Sequence, residues 1–279
     1  MEPSPPRSYA LGHSAQELDR LRRQAEAFGP FTRVLFQQAG IVSGMRILDV
    51  GSGSGDVAFL AAEMAGPAGE VIGTDLAPAA VEHANARAQS RGAANVRFLE
   101  GNPAQMTFPQ PFDAVVGRLV LMYCPDPIDI LRKLARHLRP GGLIVFQEFD
   151  MANARALPPA PVFDRALGWI KHTLATSGAR LQLGLELYPL YVAAGLPAPS
   201  MRMDAMVGGG PDFGLHEIVT DVVRSLLPAM EKLGIATAAD VDIATLAARL
   251  RDDLIAGKGV ALSPALIGAW SRVATPSGL

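Results

Sequence analysis

The sequence predicts an α/β fold: a doubly wound, mostly parallel sheet with helices on both faces. Three observations carry this. The stretch Arg46 to Asp56 joins a short apolar, β-branched run, Met45 to Val50, through Gly51, Gly53 and Gly55 to a helix-forming segment, Val57 to Met64. A second apolar run ends in an acid, Asp75, roughly 20 residues past the last of those glycines. Strand-like and helix-like segments then keep alternating to about residue 150, five repeats in all, which specifies parallel strands joined by right-handed crossovers.

Composition bounds the rest. Hydrophobic residues make up 49% of the 279 and charged ones 19%, enough to bury a full core. The formal net charge of −2 and pI near 6.2 leave no electrostatic footprint for nucleic acid or anionic lipid. The sequence has no apolar run of transmembrane length and no basic–apolar–small-residue signal at its start, so a cytoplasmic protein without nucleic-acid or membrane partners is expected. The single cysteine, Cys124, excludes an intrachain disulfide and a cysteine-built zinc site, and no metal is expected.

Taken in order, residues 1–8 hold three prolines and are expected to lack fixed structure. Ser14-Ala-Gln-Glu17 fits a capping box opening a helix with Leu18, Leu21 and Ala25 on one face. A second helix is predicted over Phe31 to Ala39, stopped by Gly40. After the glycine loop come a strand Gly69 to Leu76, a helix Pro78 to Arg91 and a strand Asn95 to Glu100. A strand from Phe112 follows, then a helix Pro127 to Leu138 ended by Arg139-Pro-Gly-Gly142, then a strand Leu143 to Phe149.

The loop itself narrows the ligand. Asp56 stands where a dinucleotide loop needs a third small residue, and no Gly-Lys-Ser/Thr follows, so neither the hydride-transfer nor the P-loop pattern fits. The helix after the loop offers free N–H groups to an anionic group. Asp75, at the end of its strand, is placed to accept both hydroxyls of a ribose; its other reading is a cap on the helix that begins near Pro78.

With Asp49 included, the loop reads Asp-x-Gly-x-Gly-x-Gly. Together with Phe112-Asp-Ala-Val and Leu138-Arg-Pro-Gly-Gly, in that order and spacing, it resembles the class I methyltransferases that use S-adenosylmethionine and release S-adenosylhomocysteine. The resemblance is strong over about residues 40–150. It implies seven strands with the last antiparallel: helices over Pro161 to Ser177 and Leu183 to Ala194, a sixth strand Ser200 to Val207, and a seventh Leu266 to Val273. It also implies a helical lid from residues 1–43, a cofactor-binding core of 44–207 plus 259–279 with an inserted lid helix at about 155–180, and an insertion 208–258. That insertion, helical at His216 to Leu227 and Val241 to Ile255, serves as further lid or as the surface of a homodimer.

Carried onto this chain, the cofactor-binding residues are Asp49, Gly51, Ser52, Gly53, Gly55, Asp75 and Leu76, then Gly101, Asn102, Pro103 and Ala104 at the adenine, with Arg118 and Gln24 completing the set. The family's usual Gly-Asp-Ala is Gly101-Asn-Pro-Ala104 here, and Asn102 can accept through its carbonyl oxygen as well as donate. The implied reaction is in-line methyl transfer, driven mainly by positioning and exclusion of water. A general base is required only where the acceptor must lose a proton. Glu148 leads the candidates, because the alternation that buries Val145 turns it toward the cofactor end; Asp150, Tyr123, His13, His172 and His216 follow. The expected acceptor is a small, largely apolar metabolite of bacterial secondary metabolism: aromatic, indole-like, polyketide, quinone-like or terpenoid. Two alternatives stay open: a non-methylating isomerase or cyclase using the same cofactor, and a nicotinamide-dependent oxidoreductase. Asp56 and the lack of a Tyr-x-x-x-Lys pair speak against the second.

Overall fold

The computed structural model describes residues 15–274, and side chains from residue 26 onward. The expectations for residues 1–8, for the capping box at Ser14, for His13 and for the side chain of Gln24 lie outside what is described. In chain order the elements are α1 (Ala15–Ala39), β1 (Arg46–Val50), α2 (Asp56–Ala65), β2 (Glu70–Asp75), α3 (Pro78–Ser90), β3 (Val96–Glu100), β4 (Phe112–Arg118), α4 (Pro127–Ala135) and β5 (Leu138–Asp150). Then follow β6 (Arg155–Leu157), α5 (Pro161–Thr176), α6 (Leu183–Ala193), β7 (Ser200–Asp204), β8 (Val207–Gly208), α7 (Leu215–Lys232), α8 (Ala238–Val241), α9 (Leu246–Ala256), β9 (Val260–Leu262) and β10 (Ala265–Arg272).

The chain divides into two compact units. The first, Gln24–Glu148 with Leu183–Met203 and residues from Leu266, holds a seven-stranded sheet ordered β3-β2-β1-β4-β5-β10-β7. The sheet is parallel except for the antiparallel strand near the end of the chain, the Rossmann-like arrangement expected. Strand order reverses between β1 and β4, so the carboxyl ends of these neighbours form the crevice where open α/β sheets take ligands. The central strands are apolar runs because both faces are covered: Ile47, Leu48, Val115, Val116, Ile144 and Val145 are fully buried.

Three local expectations need correction. The two N-terminal helices are one: α1 runs through Gly29-Pro30, since proline's φ is already helical and only one backbone bond is lost. Its buried face, Phe28, Thr32, Leu35, Phe36 and Ala39, has helical spacing, and Leu35 packs so closely on β10 that a Cβ on Gly268 would lie 2.5 Å from its Cδ1. Gly40 does end this helix, its φ of +91° letting Ile41 N–H reach back to the Phe36 carbonyl. The connection from β3 to β4 carries no helix, because Pro103, Pro109 and Pro111 break the ladder within eleven residues. Finally, Arg139-Pro-Gly-Gly142 is not the stop of α4, which ends at Ala135; it lies inside β5, where the register with β4 shifts between Phe112 and Ala114 and Gly141 adopts φ +73°.

The second unit comprises residues up to Arg23, Phe149–Gln182 and Asp204–Ala265. Within it α5, α7 and α9 pack on one another through Phe163, Leu167, Ile170, Val219, Val223, Leu226, Leu250 and Leu254. The Asp253 carboxylate accepts the Val162 N–H at 2.8 Å, so α9 caps the start of α5. The helix expected over Val241 to Ile255 is two, α8 and α9: a Thr237–Asp240 capping box opens the first and Asp242, at φ +41°, ends it. The strand expected over Ser200 to Val207 is likewise two. β7 joins the large sheet, whereas β8 belongs to a small antiparallel sheet, β6-β9-β8, that periodicity could not reveal in strands of two or three residues.

Candidate active site

The site is built where β1 and β2 end. Asp49 faces Gly73 across the two strands and Val50 faces Thr74, so the chain turns at Gly51 just as β2 reaches Asp75. Gly51, Gly53 and Gly55 all have positive φ, 63°, 51° and 89°. Two of these positions are closed by neighbours: a Cβ on Gly51 would meet Val120 at 2.7 Å and one on Gly55 would meet the Phe98 ring at 2.6 Å. Gly53 differs, because nothing lies within 4 Å of where its Cβ would point. That open face is room for a ligand.

Two carboxylates flank the loop in different states. Asp75 accepts the Gly53 N–H at 2.8 Å through one oxygen and the Ala77 N–H at 2.9 Å through the other. It thus holds the loop and the following turn while each oxygen keeps a lone pair for a further donor. The bond to Ala77 holds the turn before α3 and is not a helix cap, since α3 has Ala77 at its N-cap and no side-chain cap. Leu76, 70% exposed, presents an apolar face beside it. Asp49 is 1% exposed and neither of its oxygens has a hydrogen-bond partner; the buried Ser52 hydroxyl has none either. Burial pushes the Asp49 carboxyl up to about 8; the Arg118 guanidinium opposes this and Asp75 adds to it. A buried acid and hydroxyl left without partners beside an open glycine call for a polar, cationic ligand group.

Asp56, the departure from the dinucleotide pattern, is explained by its bonds. It accepts from the Ser54 hydroxyl at 2.9 Å and from Arg87 Nη2 at 2.8 Å, and Arg87 also donates to the Ser54 carbonyl, tying the loop exit to α3. At the end of β3, Asn102 Oδ1 accepts the Ala104 N–H at 3.0 Å, which leaves the side-chain NH2 to donate to a ligand. Gly101, at φ +139°, opens this turn. Pro103 is buried with its carbonyl 2.7 Å from His137 Nε2, so it shapes the turn from beneath.

Residues 41–179 match a family model described as a methyltransferase domain. The aklanonic acid methyltransferase DauC of a Streptomyces species is 35% identical over 57% of this chain and 73% of its own length. The chain belongs to the class I S-adenosylmethionine-dependent methyltransferases. Nocamycin O-methyltransferase of Saccharothrix syringae is 33% identical over 72% of this chain and 65% of its own length. Among solved structures, the YcgJ protein of Bacillus subtilis covers 88% of this chain and 98% of its own at a TM-score of 0.55 and 18% identity, a likeness of fold.

In this methyltransferase the residue expected as general base has another task. Glu148 is fully buried, and its carboxylate accepts the N–H groups of Val120 at 2.9 Å, Leu121 at 2.7 Å and Met122 at 3.4 Å. Leu119, at φ +57°, bends the chain so that these three donors converge. Burial raises the Glu148 carboxyl to about 7, with the three N–H bonds pulling the other way. Alternation gives Glu148 no direction because Gly142 to Glu148 are all buried, and a strand covered on both faces has no solvent side to read. Glu148 holds the turn whose Val120 lies against Gly51. Asp150 is similarly spent, on the Ala152 N–H and the Asn153 amide. Tyr123 is half-buried at the end of a 3-10 turn, Leu121–Tyr123, and His172 is exposed on α5. We expect Glu148→Gln to destabilise the fold by about 1–3 kcal/mol, because an amide N–H would confront a backbone N–H. Chemical denaturation measures this, and an unchanged midpoint would reject the role.

Stability should also depend on pH. Glu148 and Asp49 hold protons more tightly folded than unfolded, so their contribution is complete below their ordinary values of 4.5 and 3.8 and is lost as pH rises through about 7 and about 8. The ligand-free protein should melt lower at pH 8.5 than at pH 5.5, and Asp49→Asn should flatten that slope. A melting temperature that rises over this range would contradict it.

Missed by sequence reasoning were Thr32 and Gln147. Thr32 Oγ1 lies 2.7 Å from Gln147 Oε1 and 3.1 Å from Arg118 Nη1. Their only signal was a polar residue in each of two apolar stripes.

Proposed function

We propose that this chain transfers a methyl group to a small, largely apolar metabolite, and that the β1–β2 crevice binds the donor. S-adenosylmethionine, when bound, supplies a methyl group activated by its positive sulfur. The observation that carries the assignment is the pair of strand-end carboxylates, partnerless Asp49 and loop-holding Asp75, on either side of the open face of Gly53. Asp75 takes the ribose hydroxyls, Leu76 covers one adenine face and the Asn102 NH2 reads the adenine edge. Asp49 and Ser52 receive the ammonium end of the amino-acid tail, and Arg118 its carboxylate. Gly51, Gly53 and Gly55 let the backbone approach.

The chain's part in the chemistry is to orient and to exclude water. With Glu148 and Asp150 committed to backbone and turn, proton removal falls to Tyr123, His172 or His13, or is unnecessary for an acceptor already ionised. The helical unit is assigned to acceptor selection. Relatives named for aklanonic acid and nocamycin support a small organic acceptor and a setting in bacterial secondary metabolism.

The test is mass spectrometry of the purified protein with S-adenosylmethionine and a panel of aromatic acids, quinols and polyketides. The expected result is one added methyl on an acceptor with matching release of S-adenosylhomocysteine. An acceptor rearranged without consumption of the donor would replace transfer by the isomerase or cyclase alternative.

A further inference from the structure

The buried contact between α1 and the strand ends has no part in the family motifs. Thr32 and Gln147 are each 1% exposed, so their polar atoms have no recourse to water. A threonine inside a helix ordinarily returns its hydroxyl to the carbonyl four residues back, and the Phe28 carbonyl is available at 3.2 Å. The shorter contact, 2.7 Å, is to Gln147 Oε1, and with its proton given there Thr32 Oγ1 accepts from Arg118 Nη1. Gln147 and Arg118 are register partners on β5 and β4, and the buried Gln147 Nε2 has no acceptor. The Arg118 guanidinium, in electrostatic reach of Asp49 and Asp56, and the unused Gln147 amide N–H side by side at the carboxyl end of a sheet form a donor pair with hydrogen-bonding capacity left for an anionic ligand group.

We infer that Thr32 is a positioning residue: its hydroxyl, oriented by Gln147, fixes the Arg118 guanidinium for the carboxylate of the cofactor's amino-acid tail. This rests on the cofactor assignment above. Arginine carries several freely rotating bonds, and holding it before the ligand arrives removes an ordering cost from binding. The effect must be confined to ligands that carry the carboxylate.

That restriction supplies the test. The purified full-length chain is titrated calorimetrically with S-adenosylhomocysteine and with 5′-methylthioadenosine, which keeps the nucleoside and lacks the amino-acid tail. Thr32→Val should bind S-adenosylhomocysteine about tenfold more weakly and leave 5′-methylthioadenosine within about twofold, and Thr32→Ser should restore the loss. In an Arg118→Met background, Thr32→Val should add nothing. If valine prevents folding, Thr32→Ala carries the same comparison. Equal weakening of both ligands would make Thr32 merely structural and overturn the proposal, as would unchanged binding of both. A wild-type chain that binds neither ligand would remove the cofactor assignment too, which separates the two failures.

Discussion

Gly53→Val is expected to abolish measurable binding of S-adenosylhomocysteine while leaving the sheet folded. The backbone at Gly53 has φ +51°, where a β-branched residue is strained by about 1–3 kcal/mol. No protein atom lies within 4 Å of where a Cβ on Gly53 would point, so the clash is expected with the ligand rather than with the fold. Strain and lost space together should weaken affinity by at least about a hundredfold, since every 1.4 kcal/mol is tenfold. Calorimetry and far-ultraviolet circular dichroism on the same sample check the claim. Retained affinity would show that the open face of Gly53 is not where the ligand lies. Gly51→Val should behave differently, because its Cβ would meet Val120 at 2.7 Å and the damage falls on folding itself.

Asp75→Ala should be nearly as severe for a different reason. One carboxylate holds the Gly53 N–H and, on the proposed assignment, takes the ribose hydroxyls. Its removal costs two charge-assisted hydrogen bonds to the sugar, about 1.5–3 kcal/mol each, and releases the loop. A loss of about a hundredfold or more in affinity is expected, with the sheet intact because no core atom is removed. Asp75→Asn should also fail, since its NH2 cannot accept the second backbone N–H. Wild-type affinity in either variant would discard the ribose role.

Much of the α/β unit was legible from sequence, and the reason is local. Parallel strands such as Arg46–Val50 and Phe112–Arg118 are buried on both faces and read as short apolar runs, and the distance from Gly55 to Asp75 is set by one helix and one strand. What escaped depended on tertiary choice. Gly29-Pro30 marks a helix end in the sequence, yet the helix continues and docks Leu35 on Gly268, over two hundred residues away. Leu138-Arg-Pro-Gly-Gly reads as a stop, but the same residues bulge within a strand once β4 is beside them. Within the site, the glycine turn and the acid that ends β2 come together as their spacing in the sequence placed them. Glu148 was expected to face the cofactor end, whereas its carboxylate binds the backbone N–H groups of Val120 and Leu121, because direction within a doubly covered strand leaves no trace in composition.

The position of the adenosyl group is measured directly by a crystal structure of the chain grown with S-adenosylhomocysteine. It should show the ribose hydroxyls on Asp75, the ammonium at Asp49 and the tail passing over Gly53. A ligand bound elsewhere, or a crevice still empty at saturating concentration, would contradict it.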